Sequence, residues 1–262
     1  MDLGLHGKVA LVTGGSEGIG RATAHSLGRE GAHVVVCGRR ADVLERAAAD
    51  VAEDTGAQIL AVPADVSQSD DVRRLVQTTV DRFGRLDILV NNAGRSRALP
   101  FEETDDDIWQ EDLDLKLFGA LRSIRHALPH LRAAGGGSIV NVLNVGSKAP
   151  GPRSMPTSVS RAAGLAMTKA LSKELAADNI RVNGIMIGLI KSGQHERTWQ
   201  RQGGEGSMDE FYARQARTAG IPLGRVGEAS DVGDLIAFLC SSRGTYISGV
   251  AINMDGGLSA VV

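Results

Sequence analysis

The chain has 262 residues, with 29 basic and 31 acidic side chains and a formal net charge of -2. This balance argues against a nucleic-acid-binding protein, because such proteins concentrate positive charge on one surface. The 33 glycines are nearly twice the roughly 7% usage of average proteins, so many backbone positions are expected to need close approach or a positive φ. Aromatic residues are scarce, and there are only two tyrosines, Tyr212 and Tyr246.

The two cysteines, Cys37 and Cys240, lie in apolar runs and have no CxxC partner. They are predicted to be buried small hydrophobic residues, and neither a disulfide framework nor a metal site is expected. No stretch approaches the roughly 18 apolar residues of a membrane span, and the first residues lack the apolar core of a signal peptide. We therefore expect a cytoplasmic protein with no metal and with no membrane or nucleic-acid partner.

Short β-branched runs alternate with helix-length segments along almost the whole chain. The strands are predicted at residues 8–13, 33–38, 58–65, 86–94, 138–143, 180–188 and 249–257, and the helices at 18–31, 41–56, 69–84, 105–132 and 154–178. Continuous apolar strands joined by crossover helices are typical of a parallel sheet that is buried on both faces. The predicted fold class is α/β, with one Rossmann-type domain over residues 1–262 and a doubly wound parallel sheet between two layers of helices.

Residues 191–220 interrupt this alternation. The segment is polar, contains the run GGEG and carries three large aromatic residues, Trp199, Phe211 and Tyr212. Loops of this length inside a compact domain are usually functional or mobile. We interpret 191–220 as a lid or substrate loop inserted in the domain, and the alternative is a surface excursion without a role.

A glycine-rich turn follows the first strand. Residues 13–20 read T-G-x-x-x-G-x-G and open the first helix. In such a turn Gly14 permits the tight exit from the strand, Gly18 lets backbone amides approach a pyrophosphate, and Gly20 lets the helix lie close to the sheet. The free N–H groups and partial positive charge of a helix N-terminus favour phosphate at this place. The turn therefore predicts dinucleotide binding.

Together with this turn, four further motifs make the chain resemble the short-chain dehydrogenase/reductase family over residues 8–258. The motifs are Asp65-Val66, Asn91-Asn92-Ala93-Gly94, Asn183 with Gly188, and the C-terminal run from Tyr246 to Gly257. The resemblance implies a seven-stranded Rossmann sheet, a nicotinamide cofactor and a small-molecule substrate. It also implies a homotetramer or homodimer, built through the two long helices and the C-terminal strand region.

The resemblance assigns cofactor-binding positions as well. Asp65 would meet the adenine, Asn91 the ribose region, and the backbone of 188–190 with Ser192 the carboxamide end. The implied cofactor residues are Thr13, Gly14, Ser16, Gly18, Ile19, Gly20, Arg39, Asp65, Val66, Asn91, Ala93, Gly94, Arg161, Gly188, Ile190 and Ser192.

The end of the second strand favours NADP(H) over NAD(H). Gly38 stands where NAD-preferring relatives carry an acidic residue that binds the ribose 2′-hydroxyl, and Arg39 follows it. An uncharged residue beside a guanidinium suits a 2′-phosphate. Against this, Glu17 stands where many NADP-preferring relatives have a basic side chain. The alternative for Arg39 is an exposed side chain that contacts only water.

The four catalytic positions of the family are all substituted. In the family a tyrosine exchanges a proton with the substrate oxygen, a lysine four residues later lowers its pKa, a serine holds the oxygen, and an asparagine supports a water relay. Alignment on the flanking residues places Thr157 at the tyrosine, Arg161 at the lysine, Asn144 at the serine and Lys116 at the asparagine. Neither of the two tyrosines can replace the missing one, because neither has a lysine four residues later.

The replacements change the available chemistry. Thr157 can donate a hydrogen bond but is a poor general acid near neutral pH, and Arg161 stays charged. Asn144 can polarise a carbonyl through its amide. Burial beside Arg161 would lower the pKa of Lys116 and make it the best proton donor, while the alternative is that Lys116 reaches solvent or fills space. Weaker candidates are Lys148, Lys191 and His195.

Three functions fit these observations. The first is a divergent oxidoreductase that transfers hydride between NADP(H) and a small carbonyl, alcohol or activated alkene. The second is a noncatalytic dinucleotide sensor or pseudoenzyme, and the third is a lyase or isomerase without net redox chemistry. The sequence does not specify the substrate, because Arg95 and Arg97 hint at an anionic group but fit a solvated surface equally well.

Overall fold

The computed structural model describes residues 2–201 and 203–262. The strands are β1 (Val9–Thr13), β2 (His33–Gly38), β3 (Ile59–Pro63), β4 (Ile88–Asn91), β5 (Ala98–Leu99), β6 (Gly137–Asn144), β7 (Met155–Pro156), β8 (Ile180–Ile187) and β9 (Ala251–Met254). The helices are α1 (Gly18–Arg29), α2 (Ala41–Thr55), α3 (Ser69–Phe83), α4 (Asp106–Leu113), α5 (Gly119–Ala133), α6 (Thr157–Glu174), α7 (Gly193–Arg201), α8 (Met208–Ala219) and α9 (Ala229–Cys240).

Seven of the strands form one sheet, in the order β3-β2-β1-β4-β6-β8-β9. Every neighbouring pair in this sheet is parallel. The order runs outward from β1 in one direction and from β4 in the other, so the direction of winding changes between these two strands. The predicted α/β class and the doubly wound, seven-stranded Rossmann sheet are confirmed.

Each face of the sheet is covered by its own apolar core. One core joins the sheet to α1, α2 and α9, with Leu27, Leu44 and Ile236 fully buried. The other joins it to α3, α5 and α6, with Leu75 and Leu131 fully buried. Because both faces are covered, most positions along the strands are apolar, and the central strands β1 and β4 are apolar almost throughout.

The helix predicted over 105–132 is continuous but not uniform. It runs through α4 and α5, with a π-helical turn at Asp114–Phe118 between them. Asp105 caps its start, because its carboxylate accepts the backbone N–H of Ile108 at 2.8 Å. A π turn shifts the side chains that follow it around the helix axis, and such turns occur frequently at functional sites. Lys116 lies in this turn.

Residues 191–220 are helical rather than an irregular loop, and the loop interpretation was wrong in this respect. Helices α7 and α8 occupy most of the segment. Ser207 and Glu210 form a reciprocal capping box at the start of α8. Phe211 and Tyr212 are buried in a small separate core. Few apolar positions are needed for such a core, so the segment looks polar in the sequence.

Both cysteines are buried, as predicted. Burial raises the pKa of Cys37 to about 12 and that of Cys240 to about 11, so both thiols are protonated at neutral pH. Among residues 2–201 and 203–262, no helix combines the length and the apolar character that crossing a membrane requires.

Candidate active site

A cleft of about 1020 Å³ opens at the carboxyl ends of the strands, where the winding direction changes between β1 and β4. Parallel α/β sheets bind ligands at this place. Of the implied cofactor residues, thirteen line the cleft, namely Gly14, Ser16, Gly18, Ile19, Arg39, Asp65, Val66, Ala93, Gly94, Arg161, Gly188, Ile190 and Ser192. Its volume is at the top of the range of about 300–1,000 Å³ for small-molecule sites.

The turn after β1 leaves the start of α1 open to the cleft. Gly14 has a φ of +70°, in the left-handed region that favours glycine. A Cβ at Gly20 would lie 2.1 Å from the carbonyl oxygen of Gly14, so only glycine permits this approach of helix and turn. Glu17 is the N-cap of α1 but its side chain does not cap the helix. The first N–H groups of α1 therefore face the cleft without a side-chain acceptor, as phosphate binding requires.

Thr13 and Asn91 lie behind the floor of the cleft rather than on its surface. The Thr13 hydroxyl accepts the N–H groups of Asn92 and Ala93 at 3.0 Å each, and it donates to the carbonyl of Val90 at 3.3 Å. Thr13 therefore joins the ends of β1 and β4. Both Thr13 and Asn91 line a smaller inner cavity of about 20 Å³.

Asn92 is a support for the turn that the sequence reasoning did not single out. Its side-chain Nδ2 donates to the carbonyls of Thr13 at 2.9 Å and Gly14 at 3.0 Å. The available signal was the second asparagine of the Asn-Asn-Ala-Gly motif. Gly20 is also buried and belongs to the support of the turn rather than to the cleft wall.

Charged side chains surround one end of the cleft. The Arg39 side chain is 66% exposed, and its Nη1 lies 4.0 Å from Oδ2 of Asp65. Glu17 accepts from Arg40 at 2.5 Å and from Arg197 of α7 at 3.1 Å. Burial acts to raise the pKa of Glu17, but the two arginines outweigh it and hold that pKa below its usual range. The negative charge of Glu17 is thus neutralised by its neighbours.

The carboxyl end of β8 borders the other end of the cleft. A Cβ at Gly188 would lie 2.7 Å from Cβ of Asp255, so glycine is needed where β8 passes the segment after β9. Ile190 forms an isolated parallel bridge with Gly227. Ser192 follows at the start of α7, and its carbonyl accepts the backbone N–H of His195 at 2.9 Å.

Three of the four substituted catalytic positions line the cleft: Asn144, Thr157 and Arg161. Arg161 is partly buried and donates from Nη1 to the carbonyl of Val142 at 2.7 Å. Its Nε is buried without a hydrogen-bond partner in the described part of the chain. Burial lowers the pKa of Arg161 to about 10, so the side chain is cationic at neutral pH. Oδ1 of Asn144 accepts the Ser147 hydroxyl at 3.0 Å.

Lys116, the fourth position, lines the inner cavity and not the cleft. It does not reach solvent, since only 4% of its side chain is exposed. Its Nζ donates to Oδ1 of Asp112 at 2.5 Å and to Oγ1 of Thr157 at 2.8 Å. Burial and, secondarily, the charge of Arg161 lower the pKa of Lys116 to about 8, although Asp112 acts in the opposite direction.

The weaker lysine candidates are held away from the cleft. Lys148 donates to the carbonyl of Ala251 and to Oδ1 of Asn253, at 2.7 Å each. Lys191 forms an ion pair with Glu228 at 2.6 Å. Neither lysine is among the residues that line the cleft, because each is bound by groups beside β9 or at the start of α9.

His195 of α7 does line the cleft. Its Nδ1 is buried and has no hydrogen-bond partner among the described residues. The ring makes an edge contact with Tyr212, with centroids 6.0 Å apart. Burial lowers the pKa of His195. Sequence reasoning ranked His195 low because a histidine in a loop is usually solvated, whereas helix α7 places it on the cleft wall.

The two arginines that hinted at an anionic substrate share one carboxylate. Oε2 of Glu111 lies 3.1 Å from Nη2 of Arg95 and 2.7 Å from Nη1 of Arg97. Only Arg95 lines the cleft. Their positive charge is therefore partly compensated on the side of α4.

The chain matches the family model described as enoyl-(acyl carrier protein) reductase over residues 14–259. It is 35% identical over 257 residues to dehydrogenase/reductase SDR family member 4 of Homo sapiens, which covers 97% of this chain and 88% of that protein.

Solved structures of similar proteins include L-sorbose reductase from Gluconobacter frateurii, complexed with NADPH and L-sorbose. Its TM-score is 0.94 at 35% identity, with 100% of both chains covered. A short chain oxidoreductase from Pseudomonas aeruginosa PAO1, bound to NADPH and containing an atypical catalytic center, has a TM-score of 0.92 at 36% identity. That match covers 97% of this chain and 98% of the other. The sequence match, the sheet order and the cleft agree, and the chain belongs to the short-chain dehydrogenase/reductase family.

Proposed function

We propose that the protein is an NADP(H)-dependent oxidoreductase, which transfers hydride between the cofactor and a small carbonyl, alcohol or activated alkene. The observation that carries this proposal is the cleft itself. It combines an α1 N-terminus without a side-chain cap, glycines that leave no room for a Cβ, and a wall that includes both the cation Arg161 and Asn144. These features fit a dinucleotide with its phosphates at α1.

The preference for NADP(H) is supported by the charges at the end of β2. Arg39 is exposed beside Gly38, where a 2′-phosphate would lie in this family. Glu17 was the counterargument, but Arg40 and Arg197 neutralise it. A 2′-phosphate would thus meet positive charge on balance. The NADPH in the two structural neighbours is consistent with this preference.

The side chains of the cleft divide the remaining chemistry between them. NADPH, when bound, supplies the hydride, and the reduced product needs one proton. Asn144 and Arg161 are placed to polarise a substrate oxygen and to stabilise negative charge that develops on it. We assign the proton to His195, because it lines the cleft and an imidazole can donate a proton in its acid form, whereas Lys116 lies behind Thr157.

A panel of ketoses, 3-oxoacyl thioesters and enones tests the proposal through loss of NADPH absorbance. We expect turnover of at least one class. Binding of NADPH without turnover of any compound would favour the noncatalytic alternative, and turnover without cofactor would favour a lyase or isomerase.

The cofactor preference has its own test, with Arg39→Ala. Loss of a charge-assisted contact of about 1.5–3 kcal/mol should weaken NADPH binding by roughly 10- to 100-fold. The affinity for NADH should change by less than about twofold, because NADH lacks the 2′-phosphate. Arg46→Ala is the matched control, since Arg46 is exposed on α2 and, among the described residues, pairs with Asp42 alone. Equal losses for the two cofactors would overturn the assignment of Arg39.

A further inference from the structure

The start of α6 is joined to a short segment that borders the cleft. Strands β5 and β7 pair antiparallel, with Ala98 opposite Pro156 and Leu99 opposite Met155. Residues 95–99, here called the wall segment, therefore run beside Thr157, the first residue of α6. Thr157 is buried, with 4% of its surface exposed.

Next to the pair Ala98 and Pro156, the side-chain hydroxyl of Thr157 bonds to the backbone of Arg97. It accepts the backbone N–H of Arg97 at 2.9 Å and donates to the carbonyl of the same residue at 3.0 Å. It also accepts from Nζ of Lys116 at 2.8 Å. A hydroxyl has one hydrogen and two acceptor lone pairs, so all of its hydrogen-bonding capacity is used within the protein. No proton of Thr157 is directed at the cleft.

Lys116 is itself fixed by buried groups. Its partner Asp112 has 1% of its side chain exposed and accepts at Oδ1 from Lys116. The other oxygen of Asp112 accepts the hydroxyl of Ser160 at 2.6 Å. Asp112, Lys116 and Ser160 come from α4, the π turn and α6, so the chain of hydrogen bonds ties three elements together at one point. Buried networks with every member bonded are rigid.

The wall segment at the end of this chain of bonds is part of the cleft. Arg95 and Ser96 line it directly. Ser96 exchanges two hydrogen bonds of 3.2 Å with the side-chain amide of Gln194 on α7. The segment is thus held on one side by Thr157 and on the other by Gln194 of α7.

We infer that Thr157 and Lys116 are positioning residues, which hold the wall segment in place and carry no proton to the substrate. The residues at the family's tyrosine and asparagine positions thereby serve to shape the substrate side of the cleft. That these residues shape the substrate side of the cleft rests on the proposed oxidoreductase function. The hydrogen bonds between Thr157 and Arg97 do not depend on that function.

Backbone amide hydrogen exchange of Arg97, measured by NMR on the full chain, tests the tie without any substrate. In the wild type we expect the Arg97 amide to be protected. Thr157→Ser keeps the hydroxyl and should keep the protection, whereas Thr157→Val should speed the exchange about tenfold or more, as expected for the loss of about 1.5 kcal/mol of hydrogen bonding. Cooperative thermal unfolding would show that each variant is folded.

Two results would overturn the inference: an Arg97 amide that exchanges as fast as a free amide in the wild type, or unchanged exchange in folded Thr157→Val. The first result is measured on the wild type, so it tests the inference even if Thr157→Val does not fold.

Where a compound of the panel is reduced, kinetics separate positioning from proton transfer. Loss of positioning in Thr157→Val should raise KM by about tenfold or more and leave the pH dependence of kcat unchanged. A proton relay through Thr157 predicts instead a fall in kcat of about 100-fold or more with unchanged KM, together with loss of a titration near pH 8. That second outcome would contradict our assignment, while the absence of any turnover would count against the proposed function alone.

Discussion

Lys116 and Asp112 form a buried ion pair, and the protonation of this pair affects the stability of the protein. Burial lowers the pKa of Lys116 from 10.5 to about 8. Between these two values the unfolded chain binds more protons at this lysine than the folded protein. The free energy of unfolding therefore rises as the pH increases from about 8 to 10.5, and the contribution is complete only above the unfolded value.

This dependence leads to a prediction for variants of the pair. We measure the free energy of unfolding in urea at pH 7.5 and at pH 10.5. Its increase over this range should be about 3 kcal/mol larger for the wild type than for the double variant Asp112→Asn/Lys116→Met. Lys116→Met alone should lower the free energy of unfolding by about 3–5 kcal/mol at neutral pH, since the charge of Asp112 would be buried without its partner. Lys173→Met is the control, because Lys173 is exposed on the same side of the sheet and should leave the pH dependence as it is. Parallel pH profiles for wild type and double variant would refute the lowered pKa.

The functional side chains show how far residue types alone can be interpreted. The four substituted positions were found from flanking sequence, and three of them do line the cleft. The direction of the Lys116 pKa shift was also predicted, because burial beside Arg161 was its stated cause. What the sequence could not supply was the hydrogen bond from Thr157 to Arg97. This contact joins residues 60 positions apart and depends on the packing of β5 against β7.

Helix α7 acts as one unit in shaping the cleft. Arg197 ties it to Glu17 at the turn after β1, and Gln194 ties it to Ser96 on the wall segment. His195 lies between Gln194 and Arg197 in the helix, and all three residues line the cleft. A helix held at both sides fixes the imidazole more firmly than a free loop would.

This placement makes His195→Gln informative. With a compound that is reduced, we expect kcat to fall by about 100-fold or more, as is usual when a general acid is removed, while NADPH affinity stays within about threefold. Reduction by the wild type should accelerate as the pH falls toward and below the ordinary histidine value of about 6.5, because burial lowers the pKa of His195 and the acid form is required. The variant should lack this acceleration. Glu196→Gln, on the exposed side of α7, should behave as the wild type, and a His195→Gln enzyme with unchanged kcat would exclude the histidine as proton donor.

Elements differed in how well the sequence predicted them. The seven strands of the sheet were predicted because short, mainly apolar and β-branched runs alternate with helix-length segments, as in a sheet covered on both faces. The π turn at Asp114–Phe118 was not predicted, since its sequence keeps the helical pattern and only the backbone bonding changes. Helices α7 and α8 were missed because their apolar residues belong to a small local core around Phe211 rather than to the central sheet.

At the scale of the whole molecule, charge is distributed unevenly. The chain carries a net charge of -2. The described residues that line the cleft nevertheless include five arginines, Arg39, Arg40, Arg95, Arg161 and Arg197, against two carboxylates, Glu17 and Asp65. The excess acidic charge therefore lies elsewhere on the surface. A cleft with focused positive potential attracts anionic ligands over distances set by the ionic strength.

The distribution predicts a difference in salt dependence between the two nicotinamide cofactors. Raising the salt from about 0.01 M to 1 M shortens the screening length from ~30 Å to ~3 Å. NADPH carries a further phosphate that would lie at the exposed Arg39, so its Kd should rise several-fold more than that of NADH over this range, as measured by titration of cofactor fluorescence. In Arg39→Ala the two salt dependences should converge. If salt weakened the binding of NADH and of NADPH to the wild type equally, the 2′-phosphate would not be bound by the arginines at the end of β2. The preference for NADPH would then have to come from contacts deeper in the cleft, where screening by salt is weak.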